Sequence, residues 1–165
     1  MLDCKEFVNA DEIARGLSPF QPEKVSIEAG KIMLQRIGSL LKQNETFAFE
    51  TTLATKTFKN LIENAKSQDY TVTVLFFWLQ SIDLAKERVK KRVEAGGHNI
   101  DERVIERRYR SGIKNLFEIY IPIVDKVLVF DNSEEKIELI AKKNIDGEFI
   151  ILNEEKIKTL KLKSL

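Results

Sequence analysis

Cysteine and histidine are nearly missing from this chain: Cys4 and His98 are the only ones among 165 residues. That scarcity excludes a disulfide framework, a Cys/His zinc site and any Ser-His-Asp or Cys-His pair that does not use His98. It makes a reducing cytoplasm the expected compartment. Long apolar runs are also absent. The longest, Val74 to Leu79, falls well short of the ~20 residues that a bilayer requires. The first six residues carry no basic stretch followed by an apolar one, so neither a membrane span nor a signal is read. An excess of charge of either sign is missing too. With 27 Lys and Arg against 26 Asp and Glu the net charge is +1, and neither nucleic acid nor a membrane is an expected partner of the chain as a whole. Proline and glycine number 3 and 7. No repeat, low-complexity tract or linker interrupts the chain, which reads as one domain over 1–165.

What is present is a hydrophobic pattern that switches between periods of two and 3.6. Residues 6–10 read as a short buried strand that ends in polar groups. Residues 26–43 form a helical stripe, and Phe47-Ala48-Phe49-Glu50-Thr51-Thr52 repeats the apolar strand with an abrupt polar end. A helix over about 56–66 leads to 71–79, whose unbroken hydrophobicity suits a strand covered on both faces. Ser81 is placed to cap the next helix. A long helix over about 101–120 follows Gly96-Gly97, and a strand over 126–131 ends in Asp131-Asn132-Ser133. The remainder reads as a helix at about 133–141, a small β pair around Asp146-Gly147 and a solvated Lys-rich tail over 156–163. Alternating strands and helices predict right-handed βαβ units on a mainly parallel sheet, an α/β fold in three layers.

Open parallel sheets bind ligands beyond the carboxyl ends of their strands. That rule singles out Asp11, then Glu50 with Thr51 and Thr52, then Asp131 with Asn132 and Ser133. Residues 86–110 add nine positive charges against five negative, an excess larger than that of the whole chain. Carboxylates at strand ends together with an Arg-rich helical lid over about 82–120 fit phosphoryl transfer to a small molecule. Plainer readings stand beside this one. Asp11 could simply cap the next helix. Glu50 could be a solvated carboxylate, and Arg103, Arg107, Arg110 and Lys114 a solvated helix face. His98 reads as a loop residue, and Phe7, Phe47, Phe49, Phe76, Phe77 and Trp78 as core. Nucleic-acid binding through 86–110 and the tail is a weaker third reading.

Four blocks in order resemble the zeta-toxin family of P-loop kinases. They are Asn9-Ala10-Asp11-Glu12-Ile13-Ala14, Phe49-Glu50-Thr51-Thr52-Leu53, Arg92 with Gly96-Gly97-His98-Asn99-Ile100, and Ile105-Glu106-Arg107-Arg108-Tyr109. The resemblance implies an ATP- and Mg2+-dependent kinase whose best-described members phosphorylate UDP-N-acetylamino sugars, with an antitoxin as a protein partner. It implies Asp11 as general base, and Arg92, Arg107 and Arg108 as cations on the transferring phosphate. Asn9, Arg15, Glu50, Thr51 and Thr52 would hold the substrate, and Glu50 also the hydrated magnesium. Arg107, Arg108, Asp131 and Asn132 would face the nucleotide. One departure stands out. The family's opening strand and Gly-x-x-x-x-Gly-Lys-Ser/Thr loop have no counterpart, because the chain begins at what would be the second strand, and Gly30-Lys31 has Val25 and Ile32 in place of the other loop residues. The expectations are therefore a P-loop kinase fold without its first strand, little kinase activity from this chain by itself, and exposed strand edges open to self-association. The alternative is a substrate- or protein-binding module derived from such a kinase.

Overall fold

The structure is a computed structural model and describes residues 4–94, 97 and 99–164. Its elements follow the order β1 (Glu6–Val8), α1 (Ala10–Leu17), a 3-10 turn (Pro22–Val25), α2 (Ser26–Lys42), β2 (Phe47–Phe49), α3 (Phe58–Lys66), β3 (Thr73–Trp78) and α4 (Ile82–Glu94). Then come α5 (Glu102–Asn115), a π turn (Leu116–Tyr120), α6 (Ile121–Ile123), β4 (Lys126–Asp131), β5 (Glu138–Lys143), β6 (Phe149–Ile151) and α7 (Glu154–Leu162). They gather into two compact units, Met1–Thr51 with Arg92–Asn99, and Thr52–Lys91 with Ile100–Leu165.

In the first unit β1 and β2 pair in parallel, Val8 opposite Phe49. Alternation along β1 puts Glu6 and Val8 on one face and Phe7 on the other. Arg36 of α2 reaches Glu6 at 2.7 Å, Val8 is buried and Phe7 is 60% exposed, so β1 is buried on one face rather than throughout. Ala29, Met33, Ile37, Leu40 and Leu41 recur at three- and four-residue spacings along α2 and form its buried stripe.

The second unit holds a four-stranded sheet in the order β3-β4-β5-β6, with β3 and β4 parallel and the later pairs antiparallel. The mainly parallel sheet expected from the sequence is thus two sheets, each with one parallel pair, and the second is extended by the antiparallel strands β5 and β6. The helix expected at 133–141 is not formed. Glu138–Lys143 is strand β5, because pairing with β4 satisfies its backbone and buries Ile140 and Ala141 completely. Tertiary pairing here overrides the helix preference of Glu, Leu, Ala and Lys. The β pair turns at Gly147, whose φ of +89° suits glycine and whose N–H donates to the Asn144 carbonyl at 3.0 Å. The supposed solvated tail is helix α7, which buries Ile157 and Leu160. Strand β3 is covered unevenly, since Trp78 is buried whereas Phe77 is half exposed and stacks on Phe130 of β4 with ring centroids 5.1 Å apart. Ser81 caps α4 as expected, its Oγ accepting from Leu84 N–H at 3.1 Å. The α5 helix ends earlier than predicted, at Asn115, and continues as the π turn. The hinge read at Gly96 and the loop reading of His98 lie outside the described residues.

Candidate active site

Asn9, Asp11, Arg15, Glu50, Thr51 and Arg92 belong to the first unit, and Thr52, Arg107, Arg108, Asp131 and Asn132 to the second.

In the first unit, parallel pairing brings the carboxyl ends of β1 and β2 side by side, and Glu50 N–H extends the ladder to Val8 O at 3.3 Å. Asn9 follows β1 directly, keeps an extended backbone and serves as the N-cap of α1. Its Oδ1 accepts from the N–H groups of Asp11 at 2.8 Å and Glu12 at 3.3 Å. Its Nδ2 donates to Glu50 Oε2 at 2.9 Å. One amide therefore closes the helix start with its oxygen and ties the two strand ends together with its nitrogen. Asp11 is consequently not the cap. Its carboxylate stands at the second helical position, where the helix dipole favours negative charge. Arg92 Nη1 lies 3.9 Å from its Oδ2, and both side chains are about half exposed. Such a pair is screened by water and contributes little stability.

The glycine after α4 helps to place Arg92. Gly97 N–H donates to the Arg92 carbonyl at 2.8 Å, and a Cβ on Gly97 would sit 2.8 Å from both that oxygen and Arg92 Cγ. Only glycine allows so close an approach. Arg15 is directed along its own helix to Glu12, 3.4 Å away. Thr51 is half buried and Glu50 exposed.

In the second unit, the end of β4 has a different character. Asp131 is 2% exposed, and its carboxylate accepts from Lys156 Nζ at 2.6 Å, Gln80 Nε2 at 2.9 Å, and both the N–H and the hydroxyl of Ser133. Burial alone would raise its pKa, but the donors from Lys156, Ser133 and Gln80 outweigh burial and hold it below the usual carboxylate value. Lys156 also pairs with Glu138 at 2.7 Å, and hydrogen bonds from its ammonium to the two carboxylates push its pKa up. Asn132 donates its N–H to Trp78 O at 2.8 Å, and its carbonyl accepts from Arg88 of α4. Sequence reasoning missed Lys156 and Arg88. The signal for Lys156 was legible, since Asn153-Glu154-Glu155 is a helix start and Ile157 and Leu160 share a face.

Helix α5 separates the two arginines that sequence spacing treats alike. At 100° per residue, Arg107 falls with Arg103, Arg110 and Lys114 on the outward face, where Arg110 reaches Glu106 at 3.1 Å. Arg108 falls on the row of Gly112 and Asn115, four and seven residues on. Gly112 approaches the Thr52 carbonyl so closely that a Cβ would lie 2.5 Å from that oxygen, and Asn115 Nδ2 donates to Leu53 O at 2.8 Å. Arg108 thus stands on the side of α5 that meets the 52–55 loop, and Thr52 begins that loop. Both arginines are exposed.

Among known sequences, the family described as Zeta toxin matches residues 5–145. The chain belongs to the zeta toxin family. An uncharacterized protein of Haemophilus influenzae (strain ATCC 51907 / DSM 11121 / KW20 / Rd) is 28% identical over 102 residues, which are 62% of this chain and 73% of that protein. Among solved structures, one from the PezAT chromosomal toxin–antitoxin system of Streptococcus pneumoniae has a similar fold, with a TM-score of 0.54 at 14% identity over 95% of this chain and 73% of that one. The fold of this zeta toxin family member is accordingly mixed α/β. Among its described residues no helix is long and apolar enough to cross a membrane.

Proposed function

We propose that the chain supplies the acceptor side of a zeta-toxin-type phosphotransferase acting on the hydroxyl of a UDP-N-acetylamino sugar. The observation that carries this reading is the division of labour at β1: Asn9 caps α1, so Asp11 is not needed as the cap and stands exposed beside Arg92. A carboxylate so placed can accept the proton of a bound hydroxyl, as a general base requires. ATP would provide the phosphoryl group, and magnesium would neutralise charge on its oxygens. Magnesium held on phosphates needs only one or two protein carboxylates and keeps several waters. Glu50, fixed at one oxygen by Asn9, suits that demand, whereas among the described residues no three His, Cys, Asp or Glu side chains stand together as a metal cage. Arg92, Arg107 and Arg108 would offer positive charge to the transferring group, with Arg108 preferred to Arg107 for its side of α5. Asn9, Thr51 and Thr52 would bind the sugar nucleotide. Asp131 and Asn132 would act on the nucleotide only through the shape of the β4 end, since the Asp131 carboxylate is taken up by protein donors. A protein partner of the antitoxin type and a cytoplasmic setting belong to the same proposal.

The test is phosphate transfer from ATP to UDP-N-acetylglucosamine, followed by phosphorus NMR in the presence of magnesium. Transfer that Asp11→Asn abolishes supports the reading, and transfer that survives Asp11→Asn overturns the role of Asp11. A second reading, a non-catalytic binding module, is favoured by one observation: Gly30 and Lys31 lie in the middle of helix α2 and form no phosphate loop. Binding of the sugar nucleotide without any ATP turnover would decide for it.

A further inference from the structure

Leu53 has a φ of +55°, an uncommon conformation for a branched residue, and its side chain is buried. Such a backbone is strained in isolation and persists only where surrounding groups over-determine it. Helix α5 and the π turn after it supply three such groups. Gly112 lets the Thr52 carbonyl come closer than any side chain would allow. The Asn115 amide, itself 5% exposed, donates to the Leu53 carbonyl at 2.8 Å. The hydroxyl of Tyr120, a fully buried residue, donates to the Thr55 carbonyl. The π turn makes the third contact possible. Residues five apart stand about 140° apart around an α-helix, whereas the i→i+5 repeat of a π turn returns them towards one side. Asn115 and Tyr120 are five apart, and both reach the same loop.

Three carbonyls of the 52–55 loop, those of Thr52, Leu53 and Thr55, thus meet one side of α5 and the π turn after it, and Arg108 stands in the α5 row of Gly112 and Asn115, one turn before Gly112. We propose that Asn115 is a positioning residue: by holding Leu53 in its left-handed turn, it locks Thr52 and Arg108 into one rigid piece. The functional value of this lock rests on the phosphotransferase reading, in which Thr52 binds the acceptor and Arg108 meets the phosphate. Substrate binding and phosphate neutralisation would then be set by a common element, and a slack loop would misplace both.

The test uses the full chain with Asn115→Asp and, as a milder variant, Tyr120→Phe. The Asn115→Asp change keeps the shape of the side chain and exchanges the donor for an acceptor facing the Leu53 carbonyl. Amide hydrogen exchange of residues 53–57 should accelerate at least tenfold, while the amides of β4 stay unchanged. Lowering the pH protonates the introduced carboxyl, whose pKa burial raises, and the regained O–H donor should restore protection of the loop. Tyr120→Phe should accelerate only the end of the loop near Thr55, and by less. Equal acceleration in β4 and the loop, or none in the loop, overturns the proposal. A second readout is calorimetric binding of UDP-N-acetylglucosamine. Arg108→Gln and Asn115→Asp should each weaken it about tenfold, and the double variant should be no weaker than the weaker single one. Losses that simply multiply overturn the coupling. Failure of the unaltered chain to bind the nucleotide sugar would instead overturn the phosphotransferase reading, and loop exchange would still decide the role of Asn115.

Discussion

Two strand ends in this chain look alike in sequence and behave in opposite ways. At β1, the polar group beyond the strand is handled by Asn9, and Asp11 is left half exposed in a solvent-screened pair with Arg92 at 3.9 Å. At β4, Asp131 is buried and wrapped by Lys156, Gln80 and Ser133. The difference teaches that a carboxylate at a strand end is available for chemistry when a neighbour takes over its structural duties. It becomes structural when a cation from elsewhere in the chain is driven against it. At β1 the neighbour is two residues away, and at β4 the cation comes from helix α7, which buries Ile157 and Leu160.

The contrast can be broken most sharply at Asp11. Asp11→Asn should lower phosphate transfer about 10²–10⁴-fold, the usual contribution of a general base, and leave the unfolding free energy within about 0.5 kcal/mol, as for an exposed side chain. A melting curve shifted as if by a core substitution would make the β1 end structural as well. Next in size is Lys156→Met, which strands the buried Asp131 charge. Removing one partner of a buried pair costs roughly 3 kcal/mol, so the melting temperature should fall by roughly 6–12 °C in a chain of this length. Adding Asp131→Asn to that variant should recover part of the loss, and an unchanged melting point for Lys156→Met would show the β4 end to be as loosely held as the β1 end.

Smaller effects sharpen the same contrast. Asn9→Ala removes the cap of α1 and the link to Glu50, with an expected loss of about 1 kcal/mol in denaturant unfolding. A loss as large as that of Lys156→Met would mean that the link to Glu50 holds the two strands together. The smallest effect is the response to pH. The folded-state pKa of Asp131 is depressed, so its contribution is present above its ordinary value of 3.8 and disappears as the pH falls below that. Lys156 is shifted upwards, so its contribution is complete below its ordinary value of 10.5 and is lost as the pH rises above that. Stability measured across pH should show a plateau between these limits that flattens in the Lys156→Met, Asp131→Asn double variant.

The sequence made the local features legible and hid those that depend on partners far along the chain. The ends of β1, β2 and β4, the Ser81 cap and the run of α5 could be read because each is written in adjacent residues: a period of two or 3.6, then a polar break. Strand β5 could not be read that way. Ile137, Leu139, Ile140 and Ala141 suit a helix as well as a strand, and pairing with β4 chose between them. The grip of α5 and its π turn on the 52–55 loop was equally invisible, because Gly112, Asn115 and Tyr120 carry no motif and acquire meaning only when the backbone of Thr52, Leu53 and Thr55 is set against them. Asp11 was read as either a cap or a base. The structure removed the first option by giving the cap to Asn9, a residue that the sequence had placed with the substrate.

The chain contains a single tryptophan. Trp78 is buried at the last position of β3, and its indole N–H donates to the hydroxyl of Tyr109 at 3.2 Å, which in turn donates to the Leu79 carbonyl at 2.7 Å. Tyr109 neighbours Arg108 on α5, so the single tryptophan of the chain is hydrogen-bonded to the helix that carries Arg107 and Arg108. Its emission should therefore serve as a built-in gauge: with α5 seated the buried indole should emit towards the blue, and a variant that unseats the helix should admit water and shift the emission to the red.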